Sequence, residues 1–149
     1  MNQLRATLPL FGFCLLLCVM GCKKEEAISN TPSLKFLSIS PNPAVKYQDE
    51  VVIKVEYTDG DGDLGENTPD VKNLFVTDSR NNVTSQFRIN QLGPDSKVII
   101  RGTLDVVLPP QSFVDDNHSS ESATYTVYVK DRAGNESNHV TTSAITINQ

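Results

Sequence analysis

The chain has 149 residues, with 18 acidic and 13 basic side chains, a formal net charge of −5 and no tryptophan. An acidic surface argues against nucleic-acid binding, because that affinity depends on lysine and arginine side chains that neutralise phosphates. All three cysteines lie within the first 22 residues. The rest of the chain therefore has no thiol for a disulfide, a cysteine–metal site or a cysteine nucleophile.

Residues 1–21 have the pattern of an export signal. Arg5 supplies a positive charge near the start, and an apolar run over residues 8–20 follows it. This run is shorter than the roughly 20 apolar residues that a transmembrane helix needs. Without residues 1–21 the chain of 149 residues retains 128 and loses one positive charge, so its net charge goes from −5 to −6. That length predicts one domain with a core of its own.

The end of the apolar run carries a specific motif. Val19-Met20-Gly21-Cys22 resembles the lipobox of bacterial lipoproteins, in which an aliphatic residue, a variable one and a small one precede a cysteine. The resemblance implies cleavage before Cys22 and acylation of that cysteine, which would attach the chain to a lipid bilayer. Several acyl chains on one residue give stable anchoring where a single chain would be marginal.

Polar residues separate the cysteine from the first predicted strand. The charged run at 23–26, Lys-Lys-Glu-Glu, resembles the signal that directs some Bacteroidota-type lipoproteins to the outer face of the outer membrane, although a solvated charge cluster reads equally well. Residues 22–33 are predicted as the lipidated N-terminus and a flexible tether, and residues 34–149 as the folded domain.

The domain shows short alternating apolar runs between turn residues, and no segment keeps a helical period. This pattern predicts an all-β fold, and seven strands favour an immunoglobulin-like or fibronectin-type antiparallel β-sandwich. Another Greek-key sandwich or a small barrel remains open. The predicted strands cover residues 34–40, 51–58, 73–78, 83–89, 98–108, 124–130 and 140–147.

An acidic loop follows the second predicted strand. Asp59, Asp61 and Asp63 alternate with glycines, and at close range three carboxylates repel one another unless a cation is present. Ca²⁺ accepts several oxygen ligands in a loose geometry. The spacing partly matches an EF-hand loop, with Asp70 at the closing acidic position, but Leu64 stands where that loop requires glycine. The Asp-Gly-Asp-Gly-Asp-Leu-Gly run is more similar to a loop of small Bacteroidota-type surface lipoproteins, which implies an immunoglobulin-like fold.

A second loop is expected to complete the cation site. The run Asp-Arg-Ala-Gly-Asn-Glu-Ser at 131–137 resembles the turn between the last two strands of many bacterial immunoglobulin-like domains. In such a sandwich this loop and the acidic loop lie at the same end. We therefore expect Asp131 and Asn135 to join Asp59, Asp61 and Asp63, with Asp70 as a further candidate, around one calcium ion or a close pair. The alternative is that the Asp-Gly repeats only form turns.

The sequence contains no recognisable catalytic constellation. It has two histidines, no Gly-x-Ser-x-Gly elbow and no phosphate-binding glycine loop. We expect a calcium-stabilised binding or adhesion module of the cell envelope, lipid-anchored in the outer membrane, whose partner is an envelope protein, a glycan or a host surface. A structural accessory subunit of an outer-membrane assembly is the main alternative, and a small envelope hydrolase is a weaker one.

Overall fold

The computed structural model describes residues 28–93 and 97–149, and this part of the chain is built from strands. The predicted signal peptide and Cys22 lie outside the described residues. No helix in the described part has the length and apolar character needed to cross a membrane. The ten strands found there are β1 Ser33–Ser40, β2 Ala44–Val45, β3 Val51–Asp59, β4 Leu74–Asp78, β5 Thr84–Phe87, β6 Ile100–Leu108, β7 Ser120–Ala123, β8 Tyr125–Val129, β9 Val140–Thr141 and β10 Ile145–Asn148.

The strands form three sheets, with the orders β1-β3-β6, β5-β4-β8-β9 and β2-β10-β7. Every pairing is antiparallel except that of β2 with β10, which is parallel. The pairing register of β8 with β9 and that of β7 with β10 differ by one residue. The segments β7–β8 and β9–β10 therefore form one antiparallel hairpin that bends where the register shifts.

The core follows from the alternation of side chains along β3 and β8. Val51, Ile53 and Val55 are completely buried, and Tyr57 on the same side of β3 is 8% exposed. The alternation of these apolar residues with Lys54 and Glu56 in the sequence predicts this inward face, and the burial confirms it. Each such side chain contributes roughly 1.5–3 kcal/mol when it leaves water. Tyr125 in β8 is 1% exposed, so the two strands supply the apolar centre from two different sheets.

The strand count differs from the seven predicted. The strands β2 and β7 were not expected, and the predicted last strand is divided into β9 and β10. The division occurs at Thr142, where the backbone N–H donates to the Tyr125 carbonyl and the hydroxyl accepts from the Tyr125 N–H. The sequence of β7, Ser-Glu-Ser-Ala, has no strand character of its own and pairs because β10 lies beside it.

The strand predicted at 98–108 begins later than expected. The apolar residues at even positions from 98 to 108 predict that these positions share the buried side of the strand. The pairing with β3 starts at Ile100 opposite Asp59, however, and Val98 is 40% exposed. Residues 97–99 have no partner strand in β3 because that strand ends at Asp59. Further along, Val106 and Leu108 are buried as predicted.

The residues just before β1 also belong to the packed structure. Pro32 is among the fully buried side chains. The backbone carbonyls of Ile28 and Ser29 lie so close to Gly60 that a side-chain carbon there would collide with them. The last part of the predicted tether therefore lies against the acidic loop.

Candidate metal centre

The acidic loop and the turn after β8 meet at one end of the molecule. The backbone N–H of Arg132 donates to the Asp63 carbonyl over 3.3 Å, and that of Ala133 donates to Asp63 Oδ2 over 3.0 Å. Arg132 Nη1 also donates to the carbonyl of Gly65 over 3.0 Å. The expectation that these two loops share an end of the fold is therefore met.

Three carboxylates converge between the loops. Asp59, Asp63 and Asp131 each offer one oxygen, and these oxygens lie within 4.8 Å of one another. Asp59 is 0% exposed and Asp131 is 7% exposed. A buried cluster of negative charge is costly unless a cation or a proton neutralises it.

Each aspartate of the acidic loop has one oxygen without a hydrogen-bond partner among the described residues. Asp59 Oδ2 accepts from the Leu64 N–H over 2.9 Å, and Asp63 Oδ2 accepts from Ala133, so these oxygens are satisfied. The Oδ1 atoms of Asp59, Asp61 and Asp63 are buried and unpaired. Buried polar atoms normally have partners, so three orphaned acceptors in one loop need a donor or a cation.

The ionisation of the site reflects this crowding. Burial raises the pKa of Asp59 above its ordinary value, the Leu64 N–H offsets this in part, and the charges of Asp63, Asp61 and Asp131 raise it again. Burial likewise raises the pKa of Asp63, with further contributions from Asp131 and Asp61.

Asn135 was expected as a direct ligand, but its nitrogen atoms donate hydrogen bonds to the carboxylate of Asp131. Its backbone N–H donates to Asp131 Oδ1 over 2.7 Å, and its side-chain Nδ2 donates to Asp131 Oδ2 over 2.8 Å. The turn that allows this contains Gly134, whose φ of 88° is the left-handed conformation that glycine adopts without strain. Asn135 therefore orients the carboxylate of Asp131 toward the cluster.

Asp70 is not one of the three converging carboxylates. It is exposed in the turn at 68–70, and the group of oxygens that lie within 4.8 Å of one another does not include it. Glu66, which is closer in sequence to the acidic loop, accepts from the N–H and the hydroxyl of Thr68, each over 2.9 Å. The structure thus assembles the site from the beginning of the loop and from the turn after β8.

Leu64 explains why the loop departs from the EF-hand pattern. Its side chain is completely buried and belongs to the hydrophobic core, while its N–H holds Asp59. The loop therefore wraps around an apolar anchor. Gly62, with a φ of 74°, lies so close to the Val98 carbonyl that no side chain fits there. Nothing in the sequence assigns these roles to Leu64 and Arg132 except their positions beside the acidic residues.

Comparisons with protein-family models, with curated proteins and with solved structures find no match. The chemistry of the centre follows from its donor set. Carboxylate oxygens are the ligands that Ca²⁺ and Mg²⁺ prefer, and Ca²⁺ tolerates the irregular geometry of loops and takes six to eight oxygens. Asp59, Asp61, Asp63 and Asp131 can supply the acidic ligands, and water or backbone carbonyls can complete such a shell.

Proposed function

We propose that this chain is a lipid-anchored binding protein of the cell envelope whose β-sandwich is stabilised by calcium at the end next to its tether. The observation that carries the calcium assignment is the carboxylate of Asp59. It is fully buried, one of its oxygens has no partner among the described residues, and two further carboxylates lie within 4.8 Å. A divalent cation at this point satisfies the orphaned oxygens and removes the repulsion.

The strand order supports an immunoglobulin-like sandwich. The sheet β1-β3-β6 has the neighbours expected of strands A, B and E, and the sheet β5-β4-β8-β9 has those expected of C′, C, F and G. Loops at the ends of such sandwiches carry binding functions in many proteins, because the sheets hold them in fixed positions.

The lipid anchor rests on the lipobox resemblance at Val19-Met20-Gly21-Cys22. The placement of Ile28 and Ser29 beside Gly60 adds to the proposal, because the chain then enters the sandwich at the end that carries the acidic loop. Calcium would accordingly bind near the junction between the tether and the domain. On an extracellular protein this junction would be in contact with calcium in the medium.

Thermal unfolding tests the calcium assignment. The protein is expressed without residues 1–21 and with Cys22→Ser, and its melting is followed with excess chelator and then with calcium at about 100 times an expected Kd on the order of 10⁻⁴ M. Binding to the native state alone contributes about 2.7 kcal/mol under those conditions. For a domain of this size that corresponds to a rise in Tm of roughly 5–10 °C.

Two matched variants locate the ion. Asp63→Asn removes one converging charge and should abolish the calcium-dependent rise in Tm. Asp70→Asn makes the same chemical change at an exposed position and should leave the rise intact. Loss of the calcium response in Asp70→Asn alone would move the site toward the EF-hand-like set, and identical melting curves with calcium and chelator would overturn the assignment.

A further inference from the structure

The strand β6 is a long open edge. It is the last strand of the sheet β1-β3-β6, it has nine residues, and it pairs along its whole length with β3. No second strand pairs with β6 within residues 28–93 and 97–149. Backbone groups on such an edge are a template for another strand.

The opposite edge of the same sheet is blocked in part. The side chain of Asn138 accepts from the N–H of Leu34 over 2.8 Å and donates to the Leu34 carbonyl over 2.9 Å. These bonds occupy the backbone groups at the start of β1 that another strand would use. The edges formed by β5 and β9 are short, with four and two residues. An incoming strand therefore finds its longest unblocked edge on β6.

The outward side chains of β6 are arranged symmetrically about one residue. Arg101, Thr103, Asp105 and Val107 alternate along the exposed face of the strand, and Ile99 stands immediately before it. Val107 is 45% exposed and Ile99 is 51% exposed. A charged side chain lies two residues from Thr103 on each side, Arg101 before it and Asp105 after it. An apolar side chain lies four residues away on each side, Ile99 before it and Val107 after it.

We propose that two copies of this chain associate through antiparallel pairing of their β6 strands, centred on Thr103. In that register Arg101 of each copy lies opposite Asp105 of the other, and Ile99 lies opposite Val107. The two three-stranded sheets would become one sheet of six strands. Such an interface is isologous, because each copy contributes the same patch, and this is the commonest symmetry among soluble oligomers.

Charge complementarity selects both the partner and the register. Directly opposite charges and apolar pairs on one face of a sheet are favourable, whereas like charges are unfavourable. If the centre moved by one residue, Arg101 would face Val107 or Thr103 and both ion pairs would be lost. Charged side chains usually discourage an edge from pairing with arbitrary strands. Here their arrangement favours a second copy of the same strand.

Within one chain, Arg101 and Asp105 are still able to form ion pairs with a second copy. Asp105 Oδ1 lies 2.8 Å from Lys54 Nζ, and the two side chains are 51% and 42% exposed. Arg101 is exposed and forms no salt bridge to any described residue. In the pair, each Asp105 would lie between Lys54 of its own chain and Arg101 of the other copy, and each Arg101 would gain an acidic partner.

Charge reversal tests the interface. The protein without residues 1–21 and with Cys22→Ser is examined by sedimentation over a wide range of concentration, where we expect a monomer–dimer equilibrium. Arg101→Asp and Asp105→Arg each place two like-charge pairs in the dimer and should weaken self-association about tenfold or more. Lys35→Glu reverses an exposed charge on the far edge of the same sheet and should leave the association unchanged.

Mixing the two variants gives the decisive result. An Arg101→Asp chain and an Asp105→Arg chain place opposite charges together at both contacts, so the mixture should dimerise at concentrations at which neither variant does so alone. The double variant, which exchanges the two charges within one chain, should regain self-association. A monomer at every concentration, a dimer insensitive to the single reversals, or a mixture that fails to associate would each overturn the proposal.

Discussion

The carboxylate of Asp59 lies at the end of β3 with no exposure to solvent, and one of its two oxygens has only the Leu64 N–H to stabilise it. The other oxygen faces no donor among the described residues. In the metal-free protein this residue is a charged group that the fold buries at a cost. In the calcium-bound state that we propose, the same cost would make it a strong ligand, because a bound cation removes the desolvation penalty and the repulsion together.

Asp59→Asn should therefore stabilise the metal-free protein while it removes calcium binding. The change keeps the shape and an acceptor for Leu64, and it eliminates a buried charge. We expect the free energy of unfolding in excess chelator to rise by about 1–3 kcal/mol. Urea unfolding with and without calcium measures both effects. A variant that is less stable than the parent in chelator would show that the charge is already compensated within the protein.

The pH dependence of the metal-free protein should have an unusual sign. The pKa values of Asp59 and Asp63 are raised above 3.8, so the folded state binds more protons than the unfolded state between that value and the raised pKa values. Stability contributed by these two residues therefore increases as the pH falls through this window, and it decreases as the pH rises.

A comparison of variants isolates this contribution. Other acids respond in the opposite sense, because the hydrogen bonds from Thr68 and from His139 lower the pKa values of Glu66 and Glu136. The difference in unfolding free energy between the parent and an Asp59→Asn, Asp63→Asn double variant, measured in chelator across pH, should shrink as the pH falls. With calcium bound, acid should instead reduce the stability of the parent.

At this scale the sequence predicts which loops meet better than it predicts how their residues are held. The alternating aspartates and glycines predict an acidic loop, and the turn after the sixth predicted strand predicts where a further carboxylate comes from. The spacing alone could not show that Asn135 holds Asp131 or that Asp70 is not among the converging carboxylates. Those outcomes depend on the direction in which each turn leaves its strand, which is set by contacts distant in sequence.

Among the elements, β7 is held by charge as well as by pairing. Arg80, in the turn after β4, lies 2.6 Å from Asp78 and 3.0 Å from Glu121 in β7. Arg80 is 8% exposed, and its two partners are 13% and 11% exposed. Its Nη1 also donates to the Ser112 carbonyl. One guanidinium thus joins two strands and a loop at the end of the sandwich opposite the acidic loop.

Arg80→Met should destabilise the protein strongly. The substitution keeps much of the apolar volume but leaves two acids with little solvent and no cation. Removing one member of a buried ion pair costs about 3–5 kcal/mol. Lys130→Met breaks an ion pair with Glu136 in which both side chains are 42% exposed, so it should destabilise the protein far less, because solvent screens an exposed pair. Similar losses in chemical denaturation for the two variants would refute the structural importance of the Arg80 network.

The elements that the sequence predicts well are those with an apolar face. The alternation of valine and isoleucine in β3 is enough to place it, and β8 follows in the same way. The two-residue strand β2 and the polar strand β7 carry no such signal, because they exist through their pairing with β10. Local sequence cannot predict a strand whose stability comes from a partner elsewhere in the chain.

For the molecule as a whole, the end with the acidic loop gathers segments from three parts of the chain. The acidic loop, the turn after β8, and Ile28 and Ser29 meet there, while the Arg80 network holds the other end. If calcium binds there as proposed, it should slow amide hydrogen exchange in residues 28–29, 60–65 and 131–135 and leave β7 and β10 unchanged. Mass spectrometry after exchange measures this difference. Protection spread evenly over both ends would mean that the ion acts on global stability alone.

The contact between Ser29 and Gly60 also has a mechanical consequence. The chain runs from that point into β1, whose register with β3 extends from Ser33 opposite Thr58 to Ser40 opposite Val52. When the far end of the sandwich is held, tension applied ahead of residue 28 pulls along the direction of β1. The backbone hydrogen bonds between β1 and β3 are then loaded in shear, all at the same time. Force then enters the fold beside the acidic loop, so the local supply of cations would tune how rigidly the domain resists being pulled.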